Sequence, residues 1–176
     1  EGIQFFTNLL DLNCETNQIT SVDLTALTSL TKINFRFNQL TSINFTGIVS
    51  LKDIEVYNNQ LTSLDANGLV NLERLEIASN PLESLNIEGS SKLTSLDIDS
   101  PELNSLTLTG AVSLERIDLH DGNLTSIDLL DLVNLKSIEL FDNPITSIDV
   151  SNLQSGVFFI NAKSKDGLET VGKFNK

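Results

Sequence analysis

Apolar residues return every 21 positions along most of the chain. The first copy of the pattern has Leu9, Leu12 and Cys14, followed by Asn17 and Ile19. Later copies begin at Leu30, Leu51, Leu72, Leu93, Leu114 and Leu135. One such unit cannot bury its own apolar residues, so neighbouring units must stack and share a core. The pattern therefore predicts a solenoid.

A second alternating stretch follows in every unit. The segment 19–24 (ITSVDL) is its first copy and the segment 145–150 (ITSIDV) is its last. Alternation of apolar residues with Thr and β-branched residues favours an extended strand over a helix. The links between the stretches have room only for a turn. We expect two extended segments per coil and almost no α-helix.

An asparagine occupies one fixed position in five of the seven units. These residues are Asn17, Asn38, Asn59, Asn80 and Asn143. Because buried peptide groups must be hydrogen bonded, we predict that these side chains turn inward and bond the backbone where the chain leaves its strand. Pro101 and Gly122 hold the same position in two adjacent units. We predict a local weak point there, which hydrogen exchange in Pro101→Asn and Gly122→Asn variants would test.

The combined pattern L-x-x-L-x-L-x-x-N-x-L matches the leucine-rich repeat signature. Its nested 21-residue unit resembles the bacterial subclass called IRREKO over roughly residues 3–153, and is less close to the internalins. This resemblance implies a right-handed, mostly β leucine-rich repeat solenoid with parallel strands on its concave face. It also implies a secreted or surface-anchored bacterial protein, often of Bacteroidetes type.

We expect a single domain over residues 1–176, with about seven to eight coils of 21 residues. Residues 154–176 are expected to form a degenerate last repeat or cap, with a strand that starts near Val157 and a closing segment that includes Leu168. Residues 1–3 have the phase of residues 22–24, so the sequence starts in mid-repeat. We therefore expect the chain to be a fragment of a larger protein.

The charge and composition exclude several functions. The 24 acidic and 11 basic residues give a net charge of −13, which argues against nucleic acid as a partner. No apolar run approaches the roughly 20 residues that span a bilayer, so no membrane insertion is expected. A single Cys14 permits neither an internal disulfide nor a cysteine-cluster metal site. Its inward phase predicts inert packing.

Strand alternation directs the residues between the apolar positions to the concave surface. One column of that surface contains the carboxylates Glu55, Glu76, Asp97, Asp118 and Glu139. This column is either a strip for a cationic partner or Ca²⁺, or a solvated sheet face crossed by salt bridges. A weak metal candidate is the group Asp97, Asp99, Asp118 and Asp121. No D-x-D-x-D-G loop supports it, so we predict no metal and no cofactor.

A second cluster on the concave surface combines Arg36 with the aromatic residues Phe37 and Tyr57. Exposed aromatic residues beside Arg are typical anchors of protein interfaces, and they also stack on sugar rings. Isolated exposed apolar residues are the alternative interpretation. The predicted ligand-binding set is Lys32, Arg36, Phe37, Tyr57, Glu55, Glu76, Asp97, Asp118, His120 and Phe141.

Catalysis is not expected. His120 is the only histidine and has no Ser or Cys nucleophile at a matching spacing. The acidic column offers carboxylate pairs of the kind that cleave glycosides, but a shallow face lacks an enclosed pocket. We therefore expect a non-catalytic module that binds another protein through its concave face. The alternatives are a glycan-binding module of a cell-surface protein and a structural spacer.

Overall fold

The computed structural model describes residues 2–146, residue 148, and the backbone of residues 157–163 and 169–175. The chain forms a solenoid of parallel strands with about six turns and essentially no helix, which confirms the predicted fold class. A single 3₁₀ turn, Ile3–Phe5, precedes the first strand.

The described part of the chain contains twelve strands. In chain order they are β1 (Asp11–Asn13), β2 (Lys32–Asn34), β3 (Asp53–Glu55), β4 (Ser63–Asp65), β5 (Arg74–Glu76), β6 (Ser84–Asn86), β7 (Ser95–Asp99), β8 (Ser105–Thr107), β9 (Arg116–His120), β10 (Ser137–Phe141), β11 (Val157–Lys163) and β12 (Glu169–Asn175). They form the sheets β1-β2-β3-β5, β12-β11-β10-β9-β7 and β4-β6-β8. The third sheet shows that the second alternating stretch pairs with its neighbours in three repeats.

The register between strands follows the repeat. Leu12 lies opposite Ile33, and Ile33 lies opposite Ile54, each 21 residues apart. Ile138 pairs with Ile160, because one extra residue precedes the last parallel strand. β12 then runs antiparallel to β11. A strand thus covers Val157–Lys163, where the last strand is expected, whereas Leu168 of the expected closing segment lies outside the described residues.

The main strands are divided between two sheets. β5 and β7 are in contact, but they are not hydrogen bonded into one sheet. We call the outward side chains of β1, β2, β3 and β5, with the turns that follow them, the N-terminal face. Those of β7, β9 and β10, with their turns, are the C-terminal face. The junction of β5 with β7 is the seam.

The core is a column of aliphatic side chains stacked from coil to coil. Leu30, Leu51 and Leu72 are fully buried, as are Ile33 and Ile54 on the strands. Burial of each such side chain is worth roughly 1.5–3 kcal/mol before entropy is subtracted. Because every coil adds residues to the same column, the interior is continuous along the solenoid.

The predicted inward-turned asparagines are present in the N-terminal part, where Asn38, Asn59 and Asn80 form what we call the asparagine ladder. The Nδ2 of Asn59 donates to the carbonyl oxygens of Val56 (3.0 Å) and, one coil earlier, Phe35 (2.9 Å). Its Oδ1 accepts from the backbone N–H of Leu40 at 3.0 Å. One side chain thus closes its own turn and joins two coils. Asn17 is exposed, and its side-chain amide donates to the Cys14 and Glu15 carbonyl oxygens of its own turn.

The ladder changes at Pro101 and Gly122. In the first of these coils the buried Ser100 hydroxyl donates to the Leu82 carbonyl oxygen at 2.9 Å, which supplies one substitute bond between coils. In the second, Asn143 Oδ1 lies 2.4 Å from where a Cβ on Gly122 would stand. Gly122→Asn therefore needs local movement, so Pro101→Asn is the better test of the predicted weak point.

Candidate functional site

Charged side chains of the N-terminal face neutralise one another across the strands. Lys32 lies directly opposite Asp53, and Asp53 lies opposite Arg74. The Lys32 ammonium contacts Asp53 Oδ2 at 3.0 Å and Glu55 Oε1 at 2.7 Å. Arg74 contacts Glu55 at 3.1 Å and also pairs with Glu76. The face is therefore a compact network of ion pairs.

Glu55 is the centre of this network. Its side chain is 5% exposed and receives contacts from Lys32, Arg36 and Arg74. Burial alone would raise the pKa of Glu55, but the Lys32 ammonium and the two guanidiniums outweigh it and lower the pKa below its ordinary value. Glu55 therefore stays ionised and holds the three cations in place.

An aromatic pair stands beside the network. Phe37 lies in the turn after β2, in a left-handed conformation with φ of 54°, and is 42% exposed. Its ring meets Tyr57 edge to face, with centroids 5.5 Å apart and an interplanar angle of 74°. Arg36 Nη1 lies 3.3 Å from Glu55 and 3.9 Å from Glu76. The structure thus brings the predicted Arg36, Phe37 and Tyr57 together.

A cavity of about 320 Å³ opens at the seam, next to these side chains. It is lined by Arg36, Tyr57, Leu75, Glu76, Ile77, Ala78 and Asp97. Its walls combine apolar side chains with charges of both signs. The seam therefore offers a recess with both apolar and charged walls beside the aromatic pair.

The C-terminal face has fewer cations. Arg116 contacts Asp118 at 2.7 Å and Glu139 at 3.5 Å. His120 stacks on Phe141 with ring centroids 5.0 Å apart and an interplanar angle of 17°. His120 Nε2 also lies against Asp118 Oδ1. The predicted residues His120, Phe141 and Asp118 are thus neighbours, about three strands away from Tyr57.

The acidic column differs in two ways from the one the sequence predicts. Glu55 and Asp118 are buried, with 4% and 8% of their surface exposed, because long cationic side chains cover them. A ligand would therefore meet the neighbouring Lys or Arg first. Of the four carboxylates of the metal candidate, Asp97 lies directly opposite Asp118 on the neighbouring strand. Among the described residues, the ligand atoms within 4.8 Å of one another belong to Asp118, His120 and Glu139.

The sequence analysis missed a column of exposed valines. Val49, Val70, Val112 and Val133 lie in the turns between coils and are 37–55% exposed. Their spacing by one or two 21-residue repeats could have revealed this column from the sequence. Asn71 and Asn134 donate to the carbonyl oxygens of Val49 (3.1 Å) and Val112 (2.8 Å), which joins the coils along this edge. Cys14 is free and half-buried against the core, as its phase predicts.

No helix in the described part of the chain is long and apolar enough to cross a membrane.

No protein-family model matches the sequence, and no curated protein sequence matches it. Solved structures do match. The functional domain of InlJ from Listeria monocytogenes is 25% identical with a TM-score of 0.76, and the match covers 93% of this chain and 37% of that one.

Two further structures are similar. Internalin C2 from Listeria monocytogenes is 28% identical with a TM-score of 0.70, covering 93% of this chain and 75% of that one. A leucine-rich repeat protein of Leptospira interrogans is 26% identical with a TM-score of 0.69, covering 84% and 44%. The chain thus spans less than half of the InlJ and Leptospira structures.

These neighbours support the leucine-rich repeat and internalin-like resemblance, but not the IRREKO or Bacteroidetes subclass. They give no support to glycan binding. Their fold is typically an interaction module, and none of the comparisons shows a catalytic function. The chain is therefore a leucine-rich repeat solenoid that is similar to bacterial internalin-type proteins, with an architecture suited to interaction.

Proposed function

We propose that this chain is a non-catalytic recognition module that binds another protein through the concave face, centred on the seam. The observation that carries the proposal is the placement of Arg36, Phe37 and Tyr57 around the seam cavity. Tyr and Arg are enriched among the residues that contribute most to protein–protein affinity. The cavity beside them has room for an apolar side chain of the partner.

The anchors are oriented before binding, which favours affinity. Arg36 is held by Glu55 and Glu76, and Tyr57 is held by the edge of the Phe37 ring. Ordering a flexible side chain at an interface costs about 0.5–1.5 kcal/mol, so anchors that are already fixed lose less entropy. The charge of Arg36 remains available to a polar group on the partner, because its side chain is 35% exposed.

We also propose that the module works outside the cell, on a secreted or surface-anchored protein. The similarity to internalins supports this location. In that setting a rigid solenoid can present the seam to proteins of the surroundings, as the predicted function requires.

The test compares variants at the seam with a variant on the second alternating stretch, which lies on the other side of the coil. Wild-type protein is used to isolate a binding protein, which is purified, and its affinity is then measured by calorimetry for each variant. Tyr57→Ala and Arg36→Ala are each expected to cost roughly 2 kcal/mol, or about 30-fold in affinity. The control Ser42→Ala, at an exposed position of the second stretch, should leave affinity unchanged.

If Ser42→Ala lowered the affinity as much as Tyr57→Ala or Arg36→Ala, a binding site at the seam would be contradicted. A glycan array separates the alternatives, because binding to glycans that Tyr57→Ala abolishes would favour the glycan-binding module. Blank results from both the protein and the glycan experiments would favour the spacer.

A further inference from the structure

Two neighbouring strands bring the only histidine of the chain next to two carboxylates. Asp118 and His120 are two residues apart on β9, so their side chains share the outward side of the sheet. Glu139 on β10 lies directly opposite Asp118. One ligand atom from each of the three residues lies within 4.8 Å of the other two. The parallel register places the three residues on neighbouring strands, and the conformations of their side chains bring the ligand atoms together.

Among the side chains that the structure describes, one cation pairs with the carboxylates of this group. Arg116 is the cation that pairs with Asp118 and Glu139, while Asp99 lies directly opposite His120 on β7 and adds a further negative charge. Asp118 Oδ2 accepts from Arg116, whereas the buried Asp118 Oδ1 has His120 Nε2 against it and, among the described residues, no contact with the geometry of a hydrogen bond. A buried carboxylate oxygen without a donor is costly unless a cation or donor reaches it.

The surroundings fix the orientation of the three groups. Phe141 stacks on the His120 ring and directs its Nε2 toward Asp118 Oδ1. Arg116 holds the outer oxygen of Asp118, which leaves Oδ1 facing the imidazole. Such supporting contacts orient metal ligands in protein sites. The side chains of His120 and Glu139 are 36% and 29% exposed, so an ion can enter from solvent.

We propose that Asp118, His120 and Glu139 form a binding site for a divalent transition-metal ion of the zinc class. One imidazole nitrogen and two carboxylate oxygens are ligands that Zn²⁺ accepts in tetrahedral geometry, with water in the fourth position. Ca²⁺ requires six to eight oxygen ligands and gains little from an imidazole. The ion would offset the charge of Asp118 and Glu139 and satisfy Asp118 Oδ1.

The single histidine makes the test direct. Untagged protein is titrated with Zn²⁺ in a non-coordinating buffer, and the imidazole resonances of His120 are followed by NMR. We expect these resonances to shift and saturate at one ion per chain. Titration with Ca²⁺ should leave them unchanged. An imidazole that Zn²⁺ does not shift, or that Ca²⁺ shifts equally, would overturn the proposal.

Variants separate coordination from general electrostatic attraction. His120→Gln and Glu139→Gln should each weaken Zn²⁺ binding, measured by calorimetry, by roughly tenfold or more. Asp99→Asn is the matched control, because it removes a neighbouring charge without removing a ligand, and it should change affinity less than either. If Asp99→Asn and His120→Gln weakened Zn²⁺ binding equally, the ion would be attracted by the negative charge of the face and not coordinated by His120, and the proposal would be overturned. Circular dichroism checks that each variant is folded.

Discussion

The N-terminal and C-terminal faces arise from the same repeat but differ in charge. The cations of the N-terminal face are Lys32, Arg36 and Arg74, and its carboxylates are Asp11, Glu15, Asp53, Glu55 and Glu76. The cation of the C-terminal face is Arg116, and its carboxylates are Asp97, Asp99, Asp118, Asp121, Glu139 and Asp142. The backbone supplies identical columns in both, so the residues that occupy the columns decide whether a face is closed by ion pairs or left with unmet negative charge.

The two halves of the interior also differ in the hydrogen bonds that join their coils. Asn38, Asn59 and Asn80 join successive coils beneath the N-terminal face through buried amides. Beneath the C-terminal face the ladder is interrupted at Pro101 and Gly122, and only Asn143 resumes it. The comparison teaches that a solenoid can keep its fold while the polar bonds between its coils vary, because the aliphatic column continues through both halves.

Substitution of the asparagine ladder should have the largest effect on stability. Asn59→Ala leaves the buried Leu40 N–H without its acceptor. It also removes one of the two amide donors that reach each of the Phe35 and Val56 carbonyl oxygens, where Asn38 and Asn80 remain. We expect the free energy of unfolding to fall by roughly 3 kcal/mol. Denaturant unfolding, followed by circular dichroism, measures the change.

Two control substitutions test whether the loss of stability at Asn59 comes from its bonds between coils. Asn143→Ala should cost less, because its Oδ1 accepts from the Leu124 N–H at a longer 3.4 Å. Asn17→Ala should cost less still, since Asn17 is exposed. A loss at Asn17 equal to that at Asn59 would show that the ladder does not join the coils.

Removal of the Glu55 charge should have an intermediate effect. Glu55→Gln leaves three cations grouped around an amide, and we expect a loss of about 1–3 kcal/mol in unfolding free energy. Glu139→Gln on the C-terminal face should cost below about 0.5 kcal/mol, because its ion pair with Arg116 is solvated. Equal costs at the two sites would contradict the difference between the faces.

The pH dependence checks the origin of the Glu55 effect. Because the folded-state pKa of Glu55 lies below its ordinary value of 4.5, its stabilisation is present above pH 4.5 and disappears as the pH falls through the folded-state pKa. The stability difference between wild type and Glu55→Gln should therefore shrink on acidification below pH 4.5. A constant difference would assign the effect to packing.

The smallest effect is expected at the interrupted ladder. Ser100→Ala removes the buried hydroxyl that donates to the Leu82 carbonyl oxygen, and should cost about 1 kcal/mol. Ser79 holds the same position in the preceding repeat but is exposed, so Ser79→Ala should be nearly neutral. Identical results for the two serines, measured by denaturant unfolding, would show that Ser100 is no substitute for the missing asparagine.

Much of the fold could be predicted from periodicity because each prediction depended on one coil and its neighbour. The register of Leu12 with Ile33 and the inward turn of Asn59 follow from the 21-residue spacing. The burial of Glu55 could not be predicted in this way. It depends on how far the Lys32 and Arg74 side chains reach across adjacent strands, which the alternation of residues does not specify.

The sequence by itself determined the stacked coils, the inward aliphatic column and the positions of the outward residues, because these are set by local periodicity and by the need to bury apolar surface. Only the tertiary structure decided that the main strands divide at the seam, that Ser100 turns inward, and that Glu139 joins Asp118 and His120. These outcomes depend on distances between side chains of different coils, and such distances exist only once the chain has wound upon itself.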